Sequence, residues 1–345
     1  MTPSKRQPPP FAYAIQGEDL WRWRQQAMQD AITYDIPVSE VDRFLQALTP
    51  LTRLDLRLNS FKTSASIQLI ISMDDLNARW YQRVVDRVPL QYVVGHTHWR
   101  DFQISVSPAV LIPRPETELL IDLAIAATES SSLMRQGHWV DLGTGSGAIA
   151  IGLATAFPYA TIHGVDCSEA ALAIAQKNIH DNSALHDGHS DDQSEASQTG
   201  NIPLFERIHL HQGSWFSPWH TSHAKSGVAA AFASVRPGGA NRQFSGIVSN
   251  PPYIPSNMVL DLQPEVTHHE PHLALDGGSD GLDCLRYLIS QASTYLVPNG
   301  IFLLEMMAGQ AETVAQLINH HGDYHSTAIY SDLAGIDRFV LTRCK

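Results

Sequence analysis

Asn250, Pro251, Pro252 and Tyr253 stand together in the string I-V-S-N-P-P-Y-I-P, Ile247 to Pro255, at the end of a stretch that reads as a β-strand. Each proline removes a backbone N–H donor and fixes φ, and each restricts the residue before it to extended geometry. Such a rigid turn holds the carbonyls of Asn250 and Pro251 outward as fixed acceptors. A nitrogen with two N–H bonds can donate one to the Asn250 side-chain oxygen and one to the Pro251 backbone, with Tyr253 flat against its plane. Hydride transfer has no need of this arrangement, whereas a planar NH2 group attacking a methyl sulfonium does.

A second string, V-D-L-G-T-G-S-G-A-I-A from Val140 to Ala150, reads as a strand that ends in a glycine-rich turn and passes into a helix. Gly143, Gly145 and Gly147 let the backbone turn tightly and approach a ligand, and the helix N-terminus offers unpaired N–H groups. Asp166 follows Asp141 by 25 residues, at the end of the next expected strand in H-G-V-D, where an acid accepts hydrogen bonds from ribose hydroxyls. G-T-G-S-G-A also satisfies the dinucleotide pattern G-x-G-x-x-A, so the turn alone admits a nicotinamide or flavin. A nucleoside-binding fold is expected in either case.

The elements around these strings fall into two kinds. From Asp19 to Val85 apolar residues such as Trp21, Ala27, Ala31, Val41, Phe44, Leu45 and Leu48 recur at helical spacing, and glycine is absent up to Val94. That predicts a small all-helical domain over residues 1–85. Residues 86–118 form a hairpin-like linker, with β-branched and aromatic residues broken by Gly95 and Pro108. From 119 to 345 helical and extended stretches alternate, the sign of a parallel sheet with crossover helices. Strands are expected at His138 to Leu142, Ala160 to Val165, Ile208 to Gln212, Phe244 to Ser249, Ile301 to Met306, near Tyr324 to Tyr330, and Arg338 to Thr342. Residues 181–201, rich in Asp, Ser, His and Gln, and 220–243, rich in Ala, Gly and Ser, read as solvated surface insertions.

Composition narrows the classes. The 345 residues are 43% hydrophobic, enough for a sizeable core, and 35 acidic against 23 basic residues leave a net charge of -12. That balance opposes generic binding to phosphate backbones and anionic membranes. Cys167, Cys284 and Cys344 lie far apart, which supports neither a disulfide framework nor a thiolate zinc site and suits a reducing cytoplasm. The polar, proline-rich start from Met1 to Pro10 lacks a signal peptide's apolar stretch. The histidine pairs at 268–269 and 320–321, with His96 and His98, lack the spacing of a metal site, so none is expected.

Five strings, V-L-I-P-R-P-E-T-E (110–118), D-L-G-T-G-S-G-A-I-A (141–150), S-N-P-P-Y-I-P (249–255), E-P-H-L-A-L-D-G-G-S-D-G-L-D (270–283) and D-L-A-G-I-D-R (332–338), stand in the order of one family. From about residue 89 onward the chain closely resembles the release-factor glutamine methyltransferases. The resemblance implies an α/β, Rossmann-like S-adenosylmethionine-dependent methyltransferase sheet, mostly parallel with an antiparallel last strand, behind a small helical domain that helps grip the substrate. It implies methyl transfer from S-adenosylmethionine to the glutamine of the Gly-Gly-Gln loop in class I peptide-release factors. Asn250, Pro251, Pro252 and Tyr253 would be the catalytic residues holding the glutamine amide. Asp141, Gly143, Thr144, Gly145, Ser146 and Gly147 would form the turn around the cofactor, with Asp166 on its ribose, Trp215 flanking the adenine, and Asn250 near it too. Glu116 and Thr117 would help close the substrate site.

Some residues depart from the family pattern. Ser214 stands where an acid is usual, Met306, Met307 and Ala308 replace an Ile-Gly pair, and Ile336 stands where an arginine is common. Class I release factors are the expected partners; neither membrane nor direct nucleic-acid contact is expected, and the chain is expected to be monomeric. Two other classes fit parts of the sequence: a methyltransferase of an exocyclic amine in DNA or RNA, since N-P-P-Y is shared with such enzymes, and a non-catalytic S-adenosylmethionine-binding adaptor. The acidic balance opposes the first, and an intact N-P-P-Y opposes the second.

Overall fold

The computed structural model describes residues 11–186, 202–219 and 243–345. Two compact units emerge, one comprising Met1–His96 with Gln263–His269, the other Thr97–Leu262 with Glu270–Lys345.

The first unit is mainly helical, with helices at Gly17–Thr33, Ser39–Leu48, Arg53–Leu58, Met73–Val84 and Leu90–Val94. Strand β1 (Tyr13–Ile15) pairs antiparallel with β2 (Ile67–Leu69). Leu20, Ala27, Val41, Phe44, Leu48, Leu76 and Trp80 form one buried cluster, as helical spacing requires. Arg24 grips Asp42 through Nε and Nη2 at 2.7 and 3.0 Å. Arg83 binds both Glu40 and Glu265, and Arg87 adds a second cation to Glu265. The helical unit therefore extends beyond residue 85 and recruits Gln263–His269, a segment far away in sequence that a linear reading of domain boundaries does not reveal.

The second unit opens with the hairpin of β3 (His96–Trp99) and β4 (Phe102–Ser105). Its main sheet has β5 (His138–Leu142), β6 (Thr161–Asp166), β7 (Ile208–Gln212), β8 (Phe244–Ser249), β9 (Leu296–Glu305), β10 (Tyr324–Ser331) and β11 (Asp337–Cys344). The spatial order is β10-β11-β9-β8-β5-β6-β7. Neighbours from β7 to β9 pair in parallel, and β11 runs antiparallel to both β9 and β10. This is the expected Rossmann-like methyltransferase sheet. Chain order reverses between β5 and β8, the topological switch at which such sheets open a crevice beyond their carboxyl ends.

Several boundaries in this unit shift by one or two residues from the sequence reading, and two shift by more. β9 begins at Leu296, ahead of the expected Ile301. Asn299 takes φ +62°, and a register irregularity between Phe244 and Gly246 absorbs the extra residues within the strand. The insertion expected at 181–201 also starts too early, because the helix Glu169–His186 continues through its first residues. Asn182 and Ser183 are buried, and Asn182 Nδ2 donates to the carbonyls of Gln103 and Asn178. Polar composition hid these contacts. The rest of that stretch and most of 220–243 lie outside the described residues. Among the described residues no helix is long and apolar enough to cross a membrane.

Gly246 in β8 is held by close packing. A Cβ there would lie 2.2 Å from the ring of Trp139, which is fully buried and packed on Phe157. Gly246→Val should cost about 3 kcal/mol by overpacking. That corresponds to a fall of roughly 6 to 12 °C in melting temperature for a unit of this size, readable by calorimetry. A variant melting with the wild type would show that Trp139 has room to move.

Candidate active site

Strand register brings the site together. Leu142 of β5 pairs with Val165 of β6 and Ser249 of β8, and Ser249 pairs with Leu304 of β9. The next residues, Gly143, Asp166, Asn250 and Glu305, therefore leave the sheet side by side at its carboxyl edge.

The turn after β5 reverses with Gly143, Gly145 and Gly147 at φ +77°, +52° and +81°, conformations open to glycine. The amides of Gly143 and Thr144 both donate to the Val165 carbonyl at 2.9 Å, pinning the turn against β6. Asp141 is buried behind it: Oδ2 accepts from Thr144 Oγ1 at 2.6 Å and from the Ala150 amide at 3.2 Å. Its Oδ1 has no hydrogen-bond partner in the described structure, and burial raises the carboxyl to about 7. Asp166 accepts from the Gly145 amide through Oδ2 and from the Ser168 amide through Oδ1, each at 2.9 Å. Each carboxylate oxygen has a second lone pair for a ligand.

A cavity of about 330 Å³ opens beside this turn. Gly143, Gly145, Asp166, Trp215, Asn250 and Pro252 line it. Trp215 holds φ +52° and sets its ring near Gly143, so that a side chain on Gly143 would meet the indole. Asp141, Thr144, Ser146 and Gly147 shape the turn from behind and are absent from the cavity wall. Further wall residues are Ala109, Val110, Leu111, Pro271, Leu273 and Ala274. All but Ala109 lie in the sequence strings quoted above, but nothing in their chemistry distinguishes them as cavity wall.

The loop after β8 carries the other half of the site. Asn250 Nδ2 donates to Thr117 Oγ1 at 3.2 Å, and Thr117 Oγ1 donates to Glu305 Oε2 at 2.7 Å. Tyr253 Oη donates to the other Glu305 oxygen at 3.1 Å. Pro251 is buried, whereas Glu116 is exposed and lies off the cavity wall. The loop is clamped by the G-G-S-D-G-L-D stretch: the Gly277 amide donates to the Ile254 carbonyl, and Asp276 accepts from Ser256 Oγ and the Gly278 amide. Gln310 Nε2 donates to the Tyr253 carbonyl at 3.0 Å. The acids at 276 and 280 thus shape the loop; Asp280 accepts from Leu282 N and Arg286.

Glu305 is the residue the sequence reading missed. Burial lifts its carboxyl to about 7, against the hydrogen bonds of Thr117 and Tyr253 and the charge of Arg338; Glu116 reinforces the rise. Burial and the Glu305 charge in turn push the Tyr253 hydroxyl upward. The available signal was a lone acid ending the apolar run I-F-L-L-E of a parallel strand. Arg114 paired with the buried Glu270 is a second such contact, at 2.8 Å, between two of the quoted strings.

Residues 117–202 match the family model described as Methyltransferase small domain. A release factor glutamine methyltransferase of Synechocystis sp. is 44% identical over 332 residues, covering 95% of this chain and 97% of its own. The chain belongs to the release factor glutamine methyltransferase family. A member from Thermosynechococcus vestitus is 42% identical over 331 residues, covering 95% of this chain and 99% of its own. The likeness to a solved release factor-specific protein-(glutamine-N5) methyltransferase from Alicyclobacillus acidocaldarius has a TM-score of 0.37 at 24% identity, over 70% of this chain and 99% of that one. Membership therefore rests on the sequences. As a family member the chain is an S-adenosylmethionine-dependent methyltransferase. The glycine cradle and the cavity wall of Asp166 and Trp215 fit that cofactor.

Proposed function

We propose that the chain methylates the side-chain amide nitrogen of the glutamine in the Gly-Gly-Gln motif of class I peptide-release factors. The observation that carries this reading is Asn250 on the cavity wall, its amide nitrogen engaged by Thr117 and its oxygen left to accept. In this reading Gly143 to Gly147 surround the methionine part of S-adenosylmethionine, Asp166 takes the ribose, and Trp215 flanks the adenine. The bound cofactor supplies a methyl group activated on a sulfonium.

The protein's task is to prepare the nitrogen. An amide lone pair is delocalised into its carbonyl, the resonance behind a rotation barrier of about 18 to 20 kcal/mol. Acceptors at Asn250 Oδ1 and the Pro251 carbonyl, placed for a pyramidal nitrogen, favour the transition state over the planar ground state. The rigid Pro251-Pro252 turn and its clamp on Gly277 hold them in place without reorganisation. Proximity and alignment supply the rest. Methyl transfer leaves the nitrogen positively charged with both its hydrogens. This cationic amide is strongly acidic and sheds one proton to these acceptors or water to give the neutral product, so no strong general base is required.

Labelled S-adenosylmethionine offered with intact release factor, a short Gly-Gly-Gln peptide, DNA and RNA tests the proposal. Label should enter the release factor and disappear when the motif glutamine becomes alanine. Specific protein interfaces bury about 1,200 to 2,000 Å², far more than a glutamine between glycines provides, so intact factor should show a much lower KM than the peptide. Label entering only nucleic acid would refute the assignment.

A further inference from the structure

We propose that Glu305, acting through the Thr117 hydroxyl, is a positioning residue that locks the Asn250 amide with its oxygen toward the reacting nitrogen. The inference rests on the reading of Asn250 as that acceptor and adds what decides its orientation. The two ends of an asparagine amide are almost alike in shape, so packing selects poorly between them; donor and acceptor identity does the selecting.

A threonine hydroxyl has one hydrogen. Thr117 spends it on Glu305 Oε2 at 2.7 Å, and both groups are buried. Its oxygen then faces Asn250 as an acceptor, which calls for the NH2 end at 3.2 Å and turns Oδ1 away. Tyr253 occupies the second carboxylate oxygen as another donor, so an ionised Glu305 accepts on both sides. If Glu305 no longer accepts from Thr117, the hydroxyl hydrogen is free to reach Asn250 Oδ1. The flipped amide would then present NH2 to a nitrogen that itself carries hydrogens, losing the acceptor.

Protonation is one way to reverse the chain. Tyr253, Arg338 and Glu116 are the titratable or charged groups that act on Glu305, and Arg338 is itself paired with Asp332. With burial holding the carboxyl near 7, acidification places a hydrogen on Glu305 and weakens its role as double acceptor. The locked population should therefore grow as pH rises through about 7.

Four full-length variants test this by single-turnover rate, cofactor affinity and hydrogen exchange of the Asn250 side-chain NH2 in 15N-asparagine-labelled protein. Thr117→Val and Glu305→Leu should each lower the rate ~10- to 100-fold, a partial loss of one preorganised acceptor, while cofactor affinity holds. Both should speed exchange at Asn250. Thr117→Ser, which keeps the hydroxyl, should restore most of the rate and slow exchange. Glu305→Gln retains an oxygen for Thr117 and cannot ionise, so it should keep most of the high-pH rate and lose the inflection. Wild-type exchange in Thr117→Val, or an inflection that survives in Glu305→Gln, would overturn the lock. Wild-type enzyme that labels no release factor would instead refute the substrate reading, with exchange still deciding the lock.

Discussion

Asn250→Ala should reduce turnover by ~100- to 1,000-fold, the usual consequence of removing one preorganised transition-state contact. The substitution takes away an acceptor on the cavity wall and leaves the Pro251-Pro252 turn, whose position depends on the backbone contacts of Ile254 with Leu275 and Gly277. Cofactor affinity should fall much less, because the glycine turn and Asp166 are anchored on β5 and β6. Thr117 loses one neighbour but keeps its bond to Glu305, so the fold should melt near the wild-type temperature. Single-turnover methylation at saturating cofactor reads the chemical step directly. A rate equal to wild type would remove Asn250 from the mechanism.

Asp166→Ala should have its main effect on binding. Each charge-assisted hydrogen bond to a ribose hydroxyl is worth about 1.5 to 3 kcal/mol, so two correspond to a loss of roughly 100-fold or more in cofactor affinity. The same carboxylate accepts from the Gly145 and Ser168 amides, so its removal also loosens the turn. Asp166→Asn separates these effects: its one oxygen can still accept from an amide, but the charge is gone, and affinity should lie between the alanine variant and wild type. Calorimetric titration with S-adenosylmethionine and its demethylated product provides the check. An unchanged dissociation constant in the alanine variant would show that the ribose is held elsewhere.

The sequence by itself determined the sheet, the glycine turn and the N-P-P-Y loop, because each follows from local chemistry. Strands β5, β7 and β8 appear at their expected residues, since runs bounded by glycine, serine and proline leave extended backbone few alternatives. Gly143, Gly145 and Gly147 take left-handed conformations that glycine readily adopts, and Asp166 arrives at the cavity because it ends the neighbouring strand. Tertiary structure decided the rest. Glu305 is separated from Thr117 by 188 positions in the chain and meets it through sheet register and the turn before the helix Leu119–Ala127. Glu265 joins the helical unit because Arg83 and Arg87 neutralise it there, a pairing across 182 and 178 positions that no composition window registers. Asp181 to Ser183 look solvated in sequence, yet Asn182 and Ser183 are buried, with Asn182 Nδ2 donating to the carbonyls of Gln103 and Asn178 and Ser183 Oγ to that of Ile179. Local strings specify backbone geometry, whereas the ionisation of Glu305 and the orientation of Asn250 depend on what distant residues remove from water and which hydrogens they direct at one another.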